Sequence, residues 1–368
     1  MNKINQMIRQ VFIGCCLLLL PANAVIANNL PVQAELDHFL NDAAQKGFVG
    51  IVSLIDQNGS IYHRGLGDAI EGQAIYNENT VIDIASVTKQ FTAAAFVKLV
   101  EEGKVSPNDT LSTYFINVPD DKKNITLHQL LTHTAGFQSH LGYDDEAISK
   151  TTYLTKAFEA PLLQKPGAGY RYSNIGFTIV TAVIEQVTGT TYEDYLYKAF
   201  WEPAGLLTTG YFRPDWQRHT VAKRLKPDEG LSSQLDVLRR TDGKAWHLFG
   251  NGGILSTASD MLKWHQALAG NAVLSEQAKK TLYSQYVPED DSGDYFYGYG
   301  WSIVPNYHGQ KMIWHNGGGP FGRAEFWRFP EQGSAIFVAT HTRAIEPYYV
   351  AKGIAAILRG EKPEPVKP

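Results

Sequence analysis

The chain has 368 residues, enough to bury a large core in one or two domains. Its 44% hydrophobic and 19% charged residues are an ordinary globular composition, which excludes a disordered or fibrous chain. A formal net charge of −4 gives no electrostatic argument for nucleic acid as a partner, which would call for a clustered basic face.

The first residues read as a targeting segment. Lys3 and Arg9 form a basic start, Val11 to Leu20 an apolar run too short to span a bilayer, and Ala22-Asn23-Ala24 a small-residue cleavage site. A signal peptide over residues 1–24 is expected, with a cut after Ala27 and a retained anchor as alternatives. Cys15 and Cys16 both fall inside it, so the mature chain is expected to have no thiol for disulfides, catalysis or metal binding. This predicts a periplasmic or secreted protein without a stable membrane anchor.

Pro31 to Lys46 carries Leu36, Phe39, Leu40 and Ala43 at helical spacing. Val49–Ile55 and Ser60–Gly65 read as strands, and Gln57-Asn58-Gly59 between them is a hairpin signal. Phe91 to Glu102 is an Ala-rich helix stopped by Gly103. From Asn108 to Pro288 the pattern is helical with Gly- and Pro-bearing loops, and Ile175–Thr188, closed by Gly189, is the clearest helix. Strand-like runs return at Gly298–Val304, Lys311–His315, Arg323–Phe329 and Ser334–Thr340, before an amphipathic helix over Pro347–Arg359. Early and late strands around a helical insert predict an α+β fold with one antiparallel sheet flanked by terminal helices. The sheet subdomain is expected over 30–85 and 296–360, a mostly helical subdomain over 86–295, and a disordered tail over 361–368.

Three short stretches carry the chemistry. Ser86-Val87-Thr88-Lys89 puts an alcohol and an amine on one face of a helix, which gives a weak nucleophile a nearby base. A buried lysine loses charge more readily, and a helix N-terminus favours negative charge where an oxyanion would form. Tyr172-Ser173-Asn174 supplies a phenol that acts as a base only beside a cation, and an amide that can meet a substrate carbonyl or orient Lys89. His315-Asn316-Gly317-Gly318 ends an apolar strand-like run, and its glycines permit close backbone approach to a ligand. His315 is expected to bind a substrate carboxylate or to donate into the tyrosine–lysine network.

Taken in this order, the three stretches resemble the serine β-lactamase-related superfamily: class C β-lactamases, serine D-Ala-D-Ala peptidases and the esterases that share their fold. Leu130-Leu131-Thr132-His133-Thr134-Ala135-Gly136, Pro166 to Gly189 and Gly252-Gly253-Ile254-Leu255-Ser256-Thr257-Ala258 extend the likeness. The resemblance implies Ser86 as acylated nucleophile, Lys89 as its base and Tyr172 as the proton shuttle. It places Asn174, His315, Gly317 and Gly318 at the substrate, with the Ser86 and Gly318 N–H groups as the oxyanion hole, and gives His133 structural work. His315 stands where class C β-lactamases carry lysine and where peptidases and esterases commonly carry histidine. This shifts the expectation toward D-amino-acid peptides or small esters. A class C-like β-lactamase and a non-catalytic peptidoglycan-binding relative are the alternatives. Neither cofactor nor metal is expected: the histidines are scattered, and no H-E-x-x-H occurs. No G-x-S-x-G elbow occurs either.

Overall fold

The computed structural model describes residues 32–226 and 230–367. The expected leader and both cysteines lie outside these residues. Helix α1 (Gln33–Gln45) buries Leu36, Phe39, Leu40 and Ala43, the stripe that its spacing dictates. The hairpin follows as β1 (Gly50–Ile55) and β2 (Ile61–Leu66). Asp56 fixes its turn by accepting the N–H groups of Asn58 and Ser60 at 2.9 and 2.8 Å. Helices α2 (Lys89–Glu101) and α3 (Asn174–Thr188) pack against each other in the central part of the chain.

The late strands are β3 (Val287–Pro288), β4 (Phe296–Tyr297), β5 (Ser302–Tyr307), β6 (Gln310–Gly318), β7 (Arg323–Phe329) and β8 (Ser334–Thr340). All join one antiparallel sheet in the order β2-β1-β8-β7-β6-β5-β4-β3. The hairpin from the start of the chain thus docks on its last strand. β8 is buried along its whole length because both faces of the sheet are covered. Ile336 and Val338 face one core, with α1 and the helix over Pro347–Leu358, while Ala335, Phe337 and Ala339 face the other, with α2 and the helix over Ala258–Ala269.

The fold is the expected α+β arrangement, with differences of detail. Val287–Pro288, from the stretch read as helical, forms the far edge of the sheet. Short strands also interrupt that stretch, including Leu255–Ser256, which pairs back to Ile82–Asp83. The tail expected to be disordered lies against the protein: Val366 is buried in the core beneath α1, and Glu364 pairs with Lys352. Among the described residues no helix is long and apolar enough to cross a membrane.

Candidate active site

Ser86 sits in a single 3-10 turn, Ala85–Thr88, that runs directly into α2. The residue before it, Ala85, has φ +46°, a left-handed conformation that costs an alanine about 1–3 kcal/mol. Asp83 holds it there, accepting the Ala85 N–H at 2.8 Å. The Ile82–Asp83 pairing and the Ile84 N–H bond to the Ile254 carbonyl anchor the turn from behind. Burial pushes the Asp83 carboxyl up to about 7, against the pull of the Ala85 N–H.

Lys89 follows one turn later and is wholly buried. Its Nζ lies 2.7 Å from Asn174 Oδ1, 2.7 Å from the Asn251 carbonyl oxygen and 3.1 Å from Ser86 Oγ. Burial holds the amine well below its usual pKa, with the Asp144 carboxylate opposing. Two of its three neighbours can only accept. A neutral amine must therefore give both its hydrogens to Asn174 and Asn251, which leaves its lone pair facing the serine hydroxyl.

Tyr172 and Asn174 are set by the loop after the short helix Leu127–Leu131, which carries a capping box between Thr126 and Gln129. The His133 carbonyl accepts the Arg171 N–H, His133 Nδ1 accepts the Ser173 N–H, and the Ser139 carbonyl accepts the Asn174 N–H. The two segments are thus zipped together from 133 to 139 and from 171 to 174. His133 packs on the Tyr172 ring with centroids 4.4 Å apart, the supporting role expected for it. The Tyr172 hydroxyl bonds Ser86, and the Lys89 ammonium position lies 4.8 Å over its ring. Burial drives the phenol pKa upward, so the group holds its proton at neutral pH.

The third stretch approaches from β6. A Cβ on Gly317 would stand 2.3 Å from the Ile84 carbonyl oxygen, so only glycine lets the strand reach the Ser86 turn. Nothing lies within 4 Å of the Cβ position of Gly318, which leaves room beside the strand end. His315 is 3% exposed, and both of its ring nitrogens are engaged. Nδ1 lies 2.5 Å from the Asn316 carbonyl and must donate, so Nε2 accepts from Tyr297 Oη at 3.0 Å. Burial, with Lys89 nearby, lowers its pKa to about 3 and keeps the ring neutral. His315 therefore lies behind Tyr172 and offers no free nitrogen to the cleft.

All seven residues singled out in the sequence converge on this cleft or its back wall. Sequence reading missed three contributors: the Asn251 carbonyl, the Asp83 carboxyl and Tyr297. Gly252-Gly253 marked the neighbourhood of Asn251, but a backbone carbonyl has no signature of its own. Among the described residues no group of three or more His, Cys, Asp or Glu is placed to hold a metal ion.

The Beta-lactamase family model matches residues 34–359. The chain belongs to the Beta-lactamase family. A penicillin-binding protein of Bacillus subtilis (strain 168) is 24% identical over 289 residues, 74% of this chain and 63% of that relative. The chain thus spans less than two thirds of that relative's length. In structure, the octameric penicillin-binding protein homologue from Pyrococcus abyssi is similar with a TM-score of 0.78 and 27% identity, over 90% of this chain and 79% of that one. The D-amino acid amidase from Ochrobactrum anthropi SV3, solved with D-phenylalanine, reaches a TM-score of 0.74 over 89% of this chain and 98% of its own. At 19% identity that likeness is one of fold.

Proposed function

We propose that the protein is an exported serine hydrolase that works through an acyl-enzyme on D-amino-acid peptides or small esters. The observation that carries this is the Lys89 amine, held by two obligate acceptors with its third position turned to Ser86 Oγ at 3.1 Å. Ser86 Oγ attacks the substrate carbonyl while its proton passes to Lys89 Nζ, and the carbonyl oxygen becomes an oxyanion between the Ser86 and Gly318 N–H groups. Collapse of this intermediate breaks the bond to the leaving group. Tyr172 gives that group a proton and regains one from Lys89. Water then attacks the ester carbonyl of the acyl-enzyme, loses its proton to the same pair and releases the acid with Ser86 restored. Asn174 orients Lys89 and offers its amide to the substrate. His315, buried and neutral, bonds Tyr297 and packs beside Tyr172 with ring centroids 6.5 Å apart, rather than binding a carboxylate.

Penicillin-binding relatives make β-lactams the second substrate reading. The test is intact-protein mass over time after mixing with benzylpenicillin, alongside Ser86→Ala and a D-amino-acid amide and ester panel. A lasting adduct that needs Ser86 supports a penicillin-recognising peptidase. Consumed penicillin without an adduct makes the protein a β-lactamase. Turnover that survives Ser86→Ala overturns the assignment, and no turnover or labelling at all leaves a non-catalytic binding protein. Export is tested by the N-terminal residue of the protein recovered from the periplasm, expected just after residue 24 or 27.

A further inference from the structure

A second cavity, of about 490 Å³, is lined by none of the seven residues that form the Ser86 cleft and its back wall. It opens where the sheet meets the helices Ala258–Ala269 and Glu276–Leu282. The sheet register explains two of its walls. Ile313 of β6 stands opposite Arg328 of β7, so Lys311, two residues before Ile313, shares a face with Arg328. The helix Glu276–Leu282 brings Lys280, and Tyr283 follows at its end.

Arg328 is buried, and no carboxylate among the described residues pairs with it. Its Nη1 donates to Tyr283 Oη at 2.7 Å, its Nε to His265 Nδ1 at 3.2 Å and its Nη2 to the His265 carbonyl at 3.4 Å. Burial, with the guanidinium beside it, lowers the His265 pKa to about 3, so that partner is neutral. These bonds engage three of the five guanidinium N–H groups and cancel none of the charge. A buried charge without a counter-ion is costly. The lysines add to it. Lys279 is spent on Glu276, Asn271 and the Gly270 carbonyl, but Lys280 and Lys311 make no ion pair or side-chain hydrogen bond with a described residue. Three uncompensated cations thus line one cavity, and the carboxylate on its wall, Glu276, is already taken.

We propose that this cavity is a binding site for a phosphate group, held by the Lys280 and Lys311 ammoniums in the field of the Arg328 guanidinium and separate from the Ser86 cleft. A phosphate carries up to two negative charges on several acceptor oxygens, which answers three cations better than the single charge of a carboxylate. The volume lies within the range of small-molecule sites, so the phosphate can be free or carried on a small organic molecule. The site goes beyond the hydrolytic reading and does not depend on it.

The experiment is calorimetric titration of the full chain at fixed, low ionic strength with inorganic phosphate and with glucose 6-phosphate, acetate serving as the singly charged control. Saturable binding of phosphate, tighter than that of acetate, is expected. No saturable binding of either phosphate overturns the proposal, and so does acetate binding as tightly. Lys280→Gln combined with Lys311→Gln should weaken phosphate ~10- to 100-fold, the scale of hydrogen bonds to charged groups. Neither lysine has a described partner to lose, so this variant should melt no lower than the wild type without phosphate. Unchanged affinity in it overturns the site. Ser86→Ala should bind phosphate as the wild type does; loss of binding there would place the anion in the Ser86 cleft and overturn the proposal. Tighter binding of glucose 6-phosphate supports an organic phosphate as the occupant, and tighter binding of inorganic phosphate supports the free ion.

Discussion

A Cβ on Gly317 would stand 3.1 Å from the amide nitrogen of Ser86, so the β6 strand and the Ser86 turn meet backbone to backbone. The contact sets the width of the space between the two segments whose N–H groups are proposed to hold the oxyanion. Gly317→Ala should push β6 away from the turn and lower kcat by ~100-fold or more, the scale of losing one oxyanion donor. Circular dichroism should show an intact fold, and unchanged kcat would remove this contact from the account.

Lys89 is buried among neutral acceptors, and burial depresses its pKa. The free amine is the form with a lone pair for Ser86, so activity should rise with pH through a value well below that of an ordinary lysine. Lys89→Met should abolish this ascending limb and lower kcat/KM by ~10²- to 10⁴-fold, the range of general base catalysis. A limb that persists in the variant would assign it to another group.

Tyr172 keeps its proton because burial raises its pKa, and its hydroxyl contacts Ser86. A proton donor matters most when the leaving group is a poor one. Tyr172→Phe should therefore slow an amide substrate by ~10²-fold or more and a p-nitrophenyl ester much less, since p-nitrophenolate departs without a proton. Equal losses on both substrates would point to a role in positioning Ser86 instead.

Glu325 lies on β7, buried against Trp327, whose Nε1 donates to it at 2.8 Å. Burial raises its carboxyl pKa from 4.5 to about 8 despite that bond. Between these values the unfolded chain has released the proton and the folded protein has kept it. The unfolded state then binds fewer protons, so stability falls as pH rises across that window, by up to about 1.4 kcal/mol per pH unit. Glu325→Gln should flatten this loss, read as a smaller drop in Tm between pH 5 and pH 8 than in the wild type. Identical drops would show that Glu325 does not titrate there.

The sheet and its covering helices were legible because their apolar periodicity is strong. Leu36, Phe39, Leu40 and Ala43 spell a helix face, and Gln57-Asn58-Gly59 spells a hairpin. Ser86, Lys89, Tyr172 and Asn174 were legible because the chemistry proposed for them belongs to their side chains. The rest of the site was hidden for physical reasons. The Asn251 carbonyl is a backbone group, Asp83 acts on the N–H of a neighbour, and the burial of His315 depends on where Tyr297 folds. Likewise, Ser86 reads as a helical residue. The strained Ala85 beside Asp83 instead places it in a 3-10 turn ahead of the helix.

β1 lies between β2 and β8, pairing Ile51 with Ala339. The separation of these two strands along the chain makes their pairing one of the longest-range events available to this chain. Such pairings carry a large loop-closure cost and slow folding. Until Ser334–Thr340 arrives, the apolar edge of β1 stays open to association with other chains, which is when chaperone protection would matter most. Ser86 belongs to an early part of the chain, yet it meets Gly317 only once the late strand β6 has formed.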